Sequence, residues 1–207
     1  MKILVLHGYT QSGPCFQKKI KKLESHLGKA FRDASFYYPT APIQLKPSEM
    51  LAAAGAPQLK PDDDDKSPVQ SDKADIDDID CHAWFRLHDH NDPPKGFLRS
   101  LEFLSNYLRE HGPFDGVIGF SQGGLMAIMV ASLLEGDARR EAFEREAKVS
   151  PETLPFPESF KDMKHPPFKF GITYGALMGV TNVMRRSMRT HGFRRPFANS
   201  QASGTLS

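Results

Sequence analysis

The chain has 207 residues, 39% hydrophobic and 25% charged, with a formal net charge of +2. That length is enough to bury a sizeable core in one domain. No apolar run approaches the ~18 residues of a membrane span, and two cysteines, Cys15 and Cys81, are too few for a disulfide scaffold. The opening "MKILVLHGY" is a poor signal peptide, because its apolar stretch is short and runs into His7 and Gly8. A cytosolic or nuclear protein with free thiols is expected.

"KILVL", residues 2 to 6, is a continuous apolar run, the pattern of a strand buried on both faces. "HGYTQSG" follows as a polar, glycine-bounded loop. Residues 14 to 28 read as a helix, with Phe16, Ile20, Leu23 and Leu27 on one stripe and Gly28 as its stop. "ASFYYP" is a second strand, ended by Pro39. Residues 40 to 80 hold five prolines and the run "DDDDK", Asp62 to Lys66, and read as a long loop insert of solvated chain. "CHAWFRLHDHNDPP" comes next. Residues 95 to 111 make an amphipathic helix with Phe97, Leu101, Leu104 and Leu108 on its apolar stripe.

"FDGVIGF" is the next strand. "LMAIMVASLL", residues 125 to 134, is apolar nearly all round, which predicts a buried helix. Residues 136 to 166, charged and then proline-rich, read as a solvated excursion, and "FKFGIT", residues 168 to 173, as another strand. The last acidic residue is Asp162. Lys164, Lys169, Arg185, Arg186, Arg189, Arg194 and Arg195 follow without a carboxylate. Strands alternating with helices predict an α/β fold, a mainly parallel sheet with helices on its faces and ligands at the carboxyl ends of the strands.

"HGYTQSG" and "GFSQGG" both fall at such ends. Gly119-Phe120-Ser121-Gln122-Gly123 fits G-x-S-x-G, a serine on a strained strand-to-helix turn. The turn leaves no room for side chains on either side, which explains the glycines. Ser121 would cap a helix whose dipole favours developing negative charge, and the Gln122 backbone N–H would face the oxyanion of an acyl-transfer intermediate. The bland alternative is a glycine-rich turn that packs closely or cradles a phosphate, but the G-x-G-x-x-G and G-x-x-x-x-G-K spacings are missing.

"KILVLHGYTQSG", "HAWF", "GPFDGVIGFSQGG" and "PPFKFGI", in that order over residues 1 to 172, resemble the FSH family of serine hydrolases of fungi and animals. The resemblance implies an α/β-hydrolase domain over 1–172, with the insert at 40–80, that cleaves a carboxylester or thioester through an acyl-serine. Some fungal members resemble thioesterases that release polyketide chains. It also implies Ser121 as nucleophile, the Tyr9 backbone N–H as second oxyanion donor with Thr10 beside it, Trp84 and Phe85 in the acyl-pocket wall, and a structural His7. No cofactor or metal is implied. Acyl-protein thioesterases share "GFSQGG" but have a differently patterned first loop.

In α/β-hydrolases the acid and then the histidine follow the serine. Here the family pattern stops. "TYGALMG" follows the last matched strand, no carboxylate comes after Asp162, and residues 173–207 read as a divergent basic tail, with the last strands of the fold missing. His191, in "MRTHGFRRP", is the stand-in base. Asp137, Asp162 and His165 are further stand-ins, which would need an improvised geometry. Asp115 lies at the wrong end of its strand for a catalytic acid. Cys81, His82, His88, Asp89, His90 and Asp92 match no standard zinc spacing, and the bland alternative for the segment is a polar loop that Trp84 and Phe85 anchor on the core. The tail arginines come with no nucleic-acid-binding module. Two readings stand: a serine hydrolase of small-molecule acyl esters or thioesters, with neither nucleic acid nor membrane as partner, or a catalytically inactive hydrolase fold acting as a binding module. The oligomeric state is not legible.

Overall fold

The structure is a computed structural model and describes residues 1–31, 33–46, 49, 80–86, 95–149, 154–176 and 197–200. Its first strand, β1 (Lys2–Leu6), is buried on both faces, as the apolar run predicts. Ile3 and Val5 enter one core cluster, while Leu4 and Leu6 enter another. This is the alternation that a pleated strand imposes.

Beside it run β2 (Ser35–Tyr37), β5 (Gly116–Phe120), β6 (Phe170–Tyr174) and β7 (Phe197–Ser200). The order is β2-β1-β5-β6-β7, and each neighbouring pair is parallel. Beyond the strand expected at 168–173, the sequence predicts no further strand. The backbone of 197–200 nevertheless extends the sheet by one. A second, two-stranded antiparallel piece joins β3 (Ile43–Gln44) to β4 (His82–Ala83), with a bridge from Gln11 to His82. The remainder of the expected 40–80 insert, residues 47, 48 and 50–79, lies outside the described residues.

Helices cover both faces. On one lies α1 (Gly13–Ala30), which starts on a Ser12 cap whose hydroxyl accepts the Cys15 N–H at 3.4 Å. Phe16, Ile20 and Leu27 pack on Ile3, Val5 and Ile118. Leu23, expected on the same stripe, is instead 48% exposed. The other face holds α2 (Phe97–His111) and α3 (Gln122–Leu133) over Leu4, Leu6 and Val117. Every residue of α3 is buried, as a helix apolar all round requires.

The solvated excursion expected over 136–166 is corrected. It contains α4 (Asp137–Val149) and the short α5 (Glu158–Lys161). Phe143, Leu154, Phe156 and Phe160 from this stretch are buried in the larger core. The charges mislead because α4 buries only a narrow face, Arg139, Ala142 and Phe143, of which one is itself charged.

Candidate active site

The strand β5 ends at Phe120 and α3 begins at Gln122, so Ser121 alone makes the turn. Its backbone has φ 51° and ψ −115°. A non-glycine residue at positive φ costs of order 1–3 kcal/mol and survives only where its surroundings over-determine it. Here Ser121 N–H donates to the Tyr174 carbonyl at 2.9 Å, and the Ser121 carbonyl accepts from Gly124 N–H at 3.0 Å.

The flanking glycines are required by contact. A Cβ on Gly119 would lie 2.4 Å from the Gly123 carbonyl oxygen, and one on Gly123 would lie 2.3 Å from that of His7. The turn is therefore pressed against the end of β1. The first backbone N–H groups of α3 have no intrahelical acceptor, and the helix dipole adds positive potential beside Ser121.

The loop after β1 is cross-linked to itself and to its neighbours. His7 is fully buried. Its Nε2 faces the Ala41 N–H at 2.9 Å and must accept, so Nδ1 carries the proton and donates to the Gly8 carbonyl at 2.8 Å. Burial pulls its pKa down from 6.5 to about 4, against the opposing hydrogen bond to Gly8. Gly8 N–H donates to Gln11 Oε1 at 2.9 Å. Thr10, at φ 60°, donates its hydroxyl to the Tyr9 carbonyl at 2.6 Å. Cys81 Sγ–H donates to the Thr10 carbonyl at 3.3 Å. The half-buried Tyr9 phenol is held above its ordinary pKa, first by burial and then by the charge of Glu49.

Trp84 and Phe85 follow β4, and neither has exposed surface. Their backbone is gripped by the Gln122 side chain. Oε1 accepts the Trp84 N–H at 2.8 Å, and Nε2 donates to the Phe85 carbonyl at 2.6 Å. The indole N–H of Trp84 donates to the His7 carbonyl at 2.9 Å. Ser121, Gln122, Trp84, Phe85 and the loop bearing Tyr9 and Thr10 thus meet at one end of the sheet. The sequence reading used only the backbone of Gln122. A polar side chain at the start of an all-apolar helix was the available sign that it had a buried partner.

The histidines divide differently. Among the described residues, neither a histidine nor a carboxylate side chain is in hydrogen-bond contact with Ser121. The ring nitrogens of His7 are both committed. His82 has Nδ1 on the Ala41 carbonyl at 2.8 Å and Nε2 3.0 Å from the Asp80 carboxylate. His26 lies on the exposed side of α1, with Nδ1 on the Lys22 carbonyl at 2.6 Å.

His165 accepts the Phe114 N–H on Nε2 at 2.7 Å and donates from Nδ1 to the Pro166 carbonyl at 2.6 Å. Phe114 precedes β5 and Ser121 follows it, a separation of roughly 20 Å along an extended strand. Asp115 sits at that same far end, binding the Lys2 N–H at 2.8 Å and the Lys169 ammonium at 2.5 Å. Those contacts, the lysine first, hold its carboxyl below its ordinary pKa. Asp137 and Asp162 are both exposed, at the start of α4 and after α5. His191, His88, Asp89, His90 and Asp92 lie outside the described residues.

A family model described as serine hydrolase (FSH1) matches residues 1–199. The chain is 30% identical over 175 residues to a dihydrofolate reductase of Schizosaccharomyces pombe, across 84% of this chain and 31% of that protein. An uncharacterized hydrolase of the same yeast is 33% identical over 150 residues, 70% of this chain and 31% of the relative. Family of serine hydrolases 2 of Saccharomyces cerevisiae is 31% identical over 138 residues, 65% of this chain and 54% of the relative. The chain therefore spans between 31% and 54% of the length of these curated relatives.

Proposed function

The chain belongs to the serine hydrolase (FSH1) family, and from that premise we propose that it hydrolyses a small-molecule carboxylester or thioester through an acyl-Ser121 intermediate. Ser121 Oγ attacks the acyl carbon. The carbonyl electron pair moves onto oxygen, and the Gln122 and Tyr9 backbone N–H groups stabilise that oxyanion. Collapse expels the alkoxide or thiolate, which takes up the proton removed from Ser121. Water then repeats the sequence on the acyl-serine and releases the acid. Thr10 borders the oxyanion loop. Trp84 and Phe85, being buried, support the acyl pocket from behind. The scheme calls on no cofactor. The observation that carries it is the positive-φ serine between β5 and α3, the conformation that leaves a nucleophile exposed at a helix N-terminus.

Serine requires a neutral imidazole to take its proton. His191 is the base we assign. The test is labelling of the purified chain with a fluorophosphonate, beside Ser121→Ala and His191→Ala. Labelling lost in both variants supports the reading. Labelling that persists in Ser121→Ala defeats the nucleophile, and labelling unchanged in His191→Ala defeats the base. One observation favours the second reading, an inactive fold that binds a ligand: His7, His26, His82 and His165 are all engaged away from Ser121. A folded wild-type chain that fails to label would refute the activated serine and favour that reading.

A further inference from the structure

The peptide joining Gly8 to Tyr9 carries the second proposed oxyanion donor, and its orientation is set by His7. A trans peptide is planar, with its C=O and N–H directed oppositely. His7 Nδ1–H holds the Gly8 carbonyl at 2.8 Å, so the Tyr9 N–H of the same peptide is turned the other way. The imidazole cannot swing, because Ala41 N–H occupies Nε2 at 2.9 Å. The preceding peptide is pinned at both ends. Its carbonyl, that of His7, accepts the Trp84 indole N–H at 2.9 Å, and its N–H, that of Gly8, donates to Gln11 Oε1 at 2.9 Å.

Trp84 is in turn fixed by the elbow. A glutamine amide offers an acceptor and a donor side by side, and Gln122 spends them on Trp84 N–H at 2.8 Å and Phe85 C=O at 2.6 Å. Gln122, Trp84 and His7 have no exposed surface, so water does not compete for these bonds. One residue, Gln122, thereby supplies one oxyanion donor from its backbone and, through its side chain, steadies the loop that supplies the other.

We propose that the Gln122 amide, the Trp84 indole and the His7 ring are positioning residues that lock the Tyr9 N–H to the elbow, so that the two oxyanion donors move as one unit. This rests on the acyl-serine reading. Burial keeps the His7 ring neutral over the working pH range, which preserves the single tautomer the arrangement needs.

Trp84→Phe removes the indole N–H and keeps an aromatic ring. Deleting an oxyanion donor outright costs about 10²–10³ in rate, and loosening one should cost about tenfold. The measurements are the fluorophosphonate inactivation rate, kcat and KM for p-nitrophenyl butyrate, and hydrogen exchange of a peptide covering residues 7–12. The expected result is inactivation and kcat each lower by about tenfold, KM within twofold, and faster exchange in that peptide. A folded Trp84→Phe with wild-type inactivation and kcat overturns the proposal.

If the wild-type chain does not label, the acyl-serine reading falls, and exchange alone decides the lock. Faster exchange in Trp84→Phe supports it, and unchanged exchange overturns it. Should Trp84→Phe not fold, Gln122→Met replaces it. That variant keeps the side-chain length and removes both the acceptor for Trp84 N–H and the donor to the Phe85 carbonyl, and the same outcomes apply.

Discussion

Gly123→Ala places a methyl group where the turn touches the sheet. The new Cβ would lie 2.3 Å from the His7 carbonyl oxygen, 2.4 Å from that of Leu6 and 2.6 Å from the Leu6 carbonyl carbon. Ordinary contact between such atoms needs about 3.4 Å or more, so α3 and β1 must separate by about 1 Å. All three obstacles are backbone, and none can rotate aside. The separation also disturbs packing all round α3, because every residue of it is buried. Overpacking costs about 1–3 kcal/mol, and three close contacts with backbone atoms put this case at the upper end, about 3 kcal/mol. Against that, alanine is favoured over glycine in a helix by about 1 kcal/mol. The net loss should be about 2 kcal/mol.

With an m-value of about 2 kcal/mol/M, the urea midpoint should fall by about 1 M. The control is Gly28→Ala near the end of α1, where a Cβ would meet nothing within 4 Å. There the helix preference acts alone, and the midpoint should rise by about 0.3–0.5 M. The same substitution in two helices is thus expected to have opposite signs. A Gly123→Ala chain as stable as the wild type would refute the close approach of the turn to β1, and with it the steric account of the motif.

Three further outcomes are expected. His7 has its folded pKa depressed from 6.5 to about 4, so between those values the unfolded chain binds more protons. Its contribution is fully present above pH 6.5 and is lost as pH falls toward 4, reaching about 2–3 kcal/mol by pH 4.5. Urea midpoints at pH 7 and 4.5 should differ more in wild type than in His7→Gln, and equal differences would show that His7 is not buried neutral. Phe143→Ala should cost about 3–5 kcal/mol, because the ring is buried and meets Phe156 edge-on at 5.8 Å. A loss under 1 kcal/mol in urea melts would return α4 to the solvent. Asp115→Asn should leave fluorophosphonate labelling of Ser121 within twofold of wild type, since the carboxylate binds Lys2 and Lys169 at the opposite end of β5. A tenfold drop would mean that the two ends of β5 are coupled.

The parts of the fold legible in the sequence are those written in local patterns. "KILVL" and "GVIGF" form buried parallel strands, and "LMAIMVASL" lies within a helix with no exposed face. G-x-S-x-G specified the turn because its glycines answer contacts within the turn and at the strand beside it. What was not legible depends on partners distant in sequence. The two-residue β3 and β4 are too short to show a period, and they pair across about forty residues. The α4 stretch looked solvated because one buried phenylalanine carries most of its packing. The clamp from Gln122 to Trp84 and Phe85 spans 38 and 37 positions, and no pattern within either segment announces the other.

The candidate site therefore separates into two problems. The side that would receive the substrate oxygen is built by residues 1–41, 80–86 and 115–124, tied together by buried hydrogen bonds and close backbone contact. The side that would remove the serine proton draws on none of the engaged histidines in those segments. These functions are energetically distinct. In serine hydrolases stripped of their triad, the oxyanion hole and binding alone still leave about 10³–10⁴-fold catalysis over water. The buried hydrogen bonds around Ser121 and Gln122 involve no candidate base, so in the proposed reaction the oxyanion donors and the proton acceptor are separate requirements.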